Sequence, residues 1–179
     1  MNHTAHGLTR RKAIAGVAVA VGGLVAQVRA GSQQPAMQEE KPTTGANATR
    51  TSLHQEIELK ATPQRVFDIL LDAKQFAAMT GMTAEIDPKA GGAFKTFNGM
   101  IEGRNVEIVA GQRIVQAWRP ANWDAGVYSL VHFELKARGA ETLLLLDHTG
   151  FGEGDYDHFY SGWGLRYWDP LKKYLASQG

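Results

Sequence analysis

A chain of 179 residues, 44% hydrophobic and 21% charged, is sized for one globular domain, and this composition excludes extensive disorder or a collagen-like fold. It contains no cysteine, which excludes disulfides, thiolate metal sites, cysteine nucleophiles and a lipid-modified cysteine. The net charge of +1 conceals a basic leader: Arg10, Arg11, Lys12 and Arg29 precede residue 31 without any acid, and the remaining 15 bases face 18 acids, a balance of −3 that argues against general nucleic-acid binding.

Thr9-Arg10-Arg11-Lys12 is followed by an uncharged run from Ala13 to Ala26. That run falls short of the roughly 20 apolar residues that span a bilayer, so no stable membrane anchor is expected after cleavage. A charged start, a short apolar core and a small-residue end read as a secretory signal over residues 1–30. Val28-Arg29-Ala30 fits an A-x-A-like cleavage site, with Gly31 as the first mature residue. Arg10 and Arg11 before a Gly-rich core resemble a twin-arginine signal, although Ala13 stands where that pattern usually has Phe. An ordinary secretory signal is the alternative. The resemblance implies the twin-arginine export machinery as a partner and a periplasmic or secreted location. Residues 31–50 hold almost no bulky apolar side chains and read as a disordered linker; Asn47-Ala48-Thr49 within them matches the glycosylation pattern by chance.

The folded domain is expected over residues 51–179. Leu53, Ile57 and Leu59 alternate with Glu56, Glu58 and Lys60, which predicts a half-buried strand. Thr62-Pro63 opens a helix with apolar Val66, Phe67, Leu70 and Leu71, and a second short helix covers Ala73 to Met79, ended by Gly81. Strands follow around Ala84–Ile86, Ala93–Phe97, Met100–Val109, Arg113–Arg119, Ser129–Arg138 and Glu141–Thr149, with turns at Asn98-Gly99 and Gly139-Ala140. Residues 120–126 form a loop. From Asp155 a long helix steps by four through Phe159, Trp163, Tyr167, Leu171 and Leu175, with Pro170 expected to kink or loosen it. One strand, two short helices, about six strands and a long helix predict an α+β fold, with the sheet bent around the last helix.

Several segments also resemble a known family: residues 100–109 (MIEGRNVEIV), 113–119 (RIVQAWR), 146–150 (LDHTG), Gly162-Trp163, and 167–175 (YWDPLKKYL). They are similar to the bacterial proteins named after the C-terminal domain of the activator of the ninety-kilodalton heat-shock protein ATPase, within the SRPBCC or START-like superfamily. The resemblance runs from about Thr51 to Leu175. It implies a helix-grip fold, a curved antiparallel sheet wrapped around a long C-terminal helix, with a cavity that in many relatives holds an apolar ligand. Members include co-chaperones, carriers and cyclases, so the fold leaves function open.

His148 shares a strand face with Leu144 and Leu146. It is read first as a core histidine satisfied by a hydroxyl or backbone group, and second as a ligand contact or proton carrier. Phe97, Trp118, Phe133, Trp163 and Tyr167 are the aromatics expected to face the interior, as core or as cavity lining. Gln116 is either a ligand contact or a buried amide with a partner. Trp123 either closes the cavity mouth or packs on the sheet edge. Asp155, Asp157 and His158 are close in sequence, but adjacent helix-start residues diverge and the helix dipole accounts for the acids, so no metal is expected. Phosphate-loop, H-E-x-x-H and G-x-S-x-G signatures are absent, and no cofactor is expected. The leading expectation is an exported protein that binds a small, largely apolar ligand. The alternatives are an enzyme of the same fold acting through His148 and Gln116 (a cyclase or hydrolase on a hydrophobic substrate), a chaperone-ATPase activator, and an interaction module using its sheet edges.

Overall fold

The computed structural model describes residues 50–178. The expected signal (Arg10, Arg11, Ala30) and nearly all of the expected linker lie outside the described residues. Strand β1 (Ser52–Leu59) leads to helices α1 (Pro63–Leu71) and α2 (Ala73–Thr80). Strands β2 (Glu85–Ile86), β3 (Ala93–Thr96), β4 (Ile101–Val109), β5 (Arg113–Pro120), β6 (Ser129–Arg138) and β7 (Glu141–Thr149) follow. The chain ends with α3 (Tyr156–Trp163), a π-helical turn (Gly164–Trp168) and α4 (Asp169–Ala176). The strands form one antiparallel sheet in the order β1-β7-β6-β5-β4-β3-β2. This is the α+β helix-grip architecture, and the helices cover the sheet's concave face.

Local chemistry explains most boundaries. The Thr62 hydroxyl caps α1 by accepting from the Arg65 N–H, and Pro63 occupies the first turn, where no donor is needed. Asp72 caps α2 through the Gln75 N–H, and Gly81 ends it at φ +72°, a conformation glycine adopts without strain. In the sheet, Ile114 and Trp118 on β5, Val131 and Phe133 on β6, and Leu144 and Leu146 on β7 are buried along the concave side. With Leu53, Ile57 and Leu59 of β1 they form the base of a single core.

Two local features depart from the sequence reading, and a third gives form to the loosening expected at Pro170. Strand β3 stops at Thr96, not Phe97: Phe97 and Asn98 take φ of +54° and +58°, and the tip closes with Gly99 N–H to Thr96 O at 3.1 Å. Positive φ is rare for a bulky residue. Here it turns the Phe97 ring onto Phe76 and Tyr167, and Asn98 Oδ1 fastens the tip by accepting from the Thr83 N–H at 2.9 Å. Second, β4 carries a bulge between Asn105 and Glu107, which leaves Val106 exposed. Third, the C-terminal helix is broken. Pro170 cannot donate a backbone bond, and the turn before it widens so that the Asp169 N–H reaches Gly164 O. The wider turn lets neighbouring Tyr167 and Trp168 both be buried.

Candidate functional site

A cleft of about 560 Å³ opens between the sheet and the C-terminal helices. Its sheet side comes from the β3–β4 tip and the end of β5, its helix side from α3 and the π turn, and its rim from the loop after Pro120. That loop is tied down. Arg119 pairs with Glu102 and donates to Trp123 O at 2.7 Å, and Trp123 packs edge-on against Phe159 at 6.0 Å. Of the two readings of Trp123, the structure places it at the cleft wall.

Four of the seven expected site residues line this cleft: Phe97, Trp118, Trp163 and Tyr167. Trp163 is their hub, stacked on Trp118 at 5.4 Å and tilted against Tyr167 at 4.4 Å. Gln116 does not open on the cleft. Its Nε2 donates to Asn105 Oδ1 at 2.9 Å, and Asn105 Nδ2 donates to Asp87 O at 2.8 Å, so the buried amide has found a partner. Gln116 and Phe133 border a separate void of about 10 Å³, at the lower limit for one water.

His148 is fully buried and lines neither space. Trp163 Nε1 donates to His148 Nδ1 at 3.2 Å, which puts the imidazole proton on Nε2. Nε2 then donates to Ser129 Oγ at 2.8 Å, and Ser129 donates to Trp118 O at 3.0 Å. This chain joins the C-terminal helix to β7, β6 and β5 behind the cleft wall. Burial alone pushes the His148 pKa down to about 3, so the ring is neutral at physiological pH. With both nitrogens engaged and that pKa, it is a poor general acid or base near neutrality.

Sequence reasoning missed several lining residues. Phe159 was visible in the helical stripe, but its exposure to the cleft depends on the rim loop. Ile101 enters through the β3–β4 tip. Gly162 has no side chain to signal a role, yet a Cβ there would meet no atom within 4 Å. Asp155, His158 and Arg166 stand at the rim. Among the described residues, no three His, Asp or Glu side chains are grouped as metal ligands.

Residues 60–176 match the family model described as Activator of Hsp90 ATPase homolog 1-like protein. A curated relative from Dictyostelium discoideum, named activator of 90 kDa heat shock protein ATPase homolog, is 28% identical over 74% of this chain and 33% of its own length. A relative from Mus musculus, activator of 90 kDa heat shock protein ATPase homolog 2, is 24% identical over 73% of this chain and 40% of its own. The chain thus spans a third to two-fifths of the length of these two curated relatives. A solved structure described as an HSP90 activator from Plasmodium falciparum superposes with a TM-score of 0.67 at 26% identity, covering 71% of this chain and 97% of that one.

Proposed function

The chain belongs to the Activator of Hsp90 ATPase homolog 1-like family, and from that premise we propose that it binds a small, largely apolar molecule in the cleft between its sheet and its C-terminal helices. The observation that carries this reading is the cleft itself. About 560 Å³ remain open among aromatic side chains at the centre of the fold, a volume within the range of small-molecule sites. A packed interior would have removed the basis for it.

Gly162 supplies the test. A Cβ at this position meets no atom within 4 Å and the residue lines the cleft, so leucine, which also replaces a poor helix former, is expected to extend into that space. The neutral fluorescent probe N-phenyl-1-naphthylamine is expected to bind the wild-type protein saturably at one site, and Gly162→Leu to weaken it tenfold or more with the melting temperature kept or raised. No saturable binding, or equal binding by the variant, would overturn the reading.

The proposal includes export. It is supported by the Arg10-Arg11 pair, the short apolar run and the Ala30 site, and it places the mature domain in the periplasm or outside the cell. Replacing Arg10 and Arg11 by Lys is expected to stop export through the twin-arginine machinery; unchanged export would contradict that route.

Activation of a chaperone ATPase is the second reading, favoured by the names of the two curated relatives. It requires a cytoplasmic partner and ATP, which an exported protein would not meet. Stimulation of a purified ninety-kilodalton chaperone's ATPase by the full chain would establish it over ligand binding. The enzyme reading is weakened because His148, its expected acid or base, is buried, neutral and fully bonded.

A further inference from the structure

The helix side of the cleft is charged at its two ends and apolar between them. Asp155 stands at the start of α3 and Arg166 inside the π turn, roughly 16 Å apart along the axis at the usual helical rise. Phe159 and Trp163 lie between them. That separation is about twice the screening length in physiological salt, so the two ends act independently. Asp155 is half-buried and drawn back over its own turn, with Oδ2 3.1 Å from the Cβ position of Gly152. Arg166 is exposed, it is the one arginine or lysine lining the cleft, and among the described residues it enters no ion pair.

An acid is near Arg166 in sequence and goes unused. Asp169 follows three residues later, a spacing at which opposite charges meet on a regular helix. The π turn from Gly164 to Trp168 puts an extra residue into that stretch and changes the alignment. Arg166 is left bordering the cleft, whereas Asp169 borders a separate groove along β1 with Lys172. The turn that buries Tyr167 and Trp168 thus also leaves an unpaired guanidinium on the cleft. Four residues before it, Gly162 keeps the adjoining space open, since a Cβ there would meet no atom within 4 Å.

These features fix where a ligand's charge can sit. An ionised group against Trp118 and Trp163 would be buried without a counter-ion, at a large cost. At Arg166 it meets a planar fork of donors that matches the two oxygens of a carboxylate, and it stays in reach of water. A cationic end would be repelled there.

We propose that the molecule held in the cleft is an amphiphile with one anionic end, a carboxylate seated on Arg166 at the mouth, and an apolar body lying between the sheet and α3. This rests on the ligand-binding reading above and narrows its substrate class to apolar acids. The π turn then serves specificity as well as packing, because it parts Arg166 from Asp169.

The test compares two probes of nearly the same shape that differ by one charge, 4-biphenylcarboxylate and 4-biphenylcarboxamide, by equilibrium dialysis against the full chain. The wild-type protein is expected to hold the carboxylate about fivefold or more tightly at low salt, with the preference shrinking as salt is added. Arg166→Gln should bring the ratio of the two affinities to about one. Equal affinities in the wild-type protein, or a ratio that survives Arg166→Gln, would overturn the inference. So would a fall in both affinities at constant ratio, since that is the signature of a structural role alone. Failure of the carboxylate to bind a protein that still binds N-phenyl-1-naphthylamine would overturn it and leave apolar binding standing. If none of the three probes binds, the ligand-binding reading fails as well.

Discussion

An unfolded chain takes up a proton at His148 near pH 6.5, whereas the folded chain resists it until about 3. Between these values the unfolded state binds more protons, so stability falls as the pH drops, by up to about 1.4 kcal/mol per unit. Above pH 6.5 the residue adds no slope. Glutamine at 148 keeps polarity without the proton site, and it disturbs the Trp163 and Ser129 bonds at a cost of about 1–3 kcal/mol near neutrality. Denaturant titrations from pH 7 to 4 should therefore show the wild-type advantage over His148→Gln shrinking as the pH falls. Parallel curves would mean that the imidazole is more open to solvent than its complete burial implies. This residue also marks a limit of sequence reading. Alternation on β7 placed His148 inward, but its partners come from β6 and α3, and no spacing in the chain reveals them.

The irregular C-terminal helix is held open by one side chain from an edge strand. At the π turn the Gly164 N–H goes to Ser161 O, so Tyr160 O loses its usual helical partner. Gln55 of β1 supplies the replacement, donating to Tyr160 O at 2.9 Å and accepting from Trp168 Nε1 at 2.6 Å. Gln55→Ala should cost about 1–3 kcal/mol, read by denaturant titration followed by tryptophan emission. A loss below about 0.5 kcal/mol would show that solvent replaces the clamp. On β4, an added Cβ at Gly103 would stand 2.0 Å from Ala117 O and 2.6 Å from the Phe94 ring. Gly103→Ala should therefore destabilise by about 1–3 kcal/mol, and an unchanged melting temperature would refute that close approach. Pro170 announced trouble in the last helix. The form of the break was not legible, because it depends on Gln55 lying across from Tyr160 and Trp168, 105 and 113 residues away in sequence.

At the scale of the molecule, the order of strands and helices was legible because each element carries its own period and punctuation: alternation in β1 and β7, Thr62-Pro63 and Gly81 at helix ends, the four-step stripe from Phe159 to Leu171. The cleft was less legible, since lining is decided between elements. Trp118 and Phe133 read alike on their strands, yet one borders the cleft and the other is covered by Trp163 and Trp168. Phe97 reaches the cleft only through its positive φ, a choice made by the hairpin tip as a whole. The central claim is that this cleft carries a small molecule, and its most direct test is mass spectrometry of the protein expressed from the full chain and recovered without denaturation. Native spectra should show a discrete extra mass that leaves on denaturation. A bare protein mass that stays bare after incubation with N-phenyl-1-naphthylamine would contradict the account.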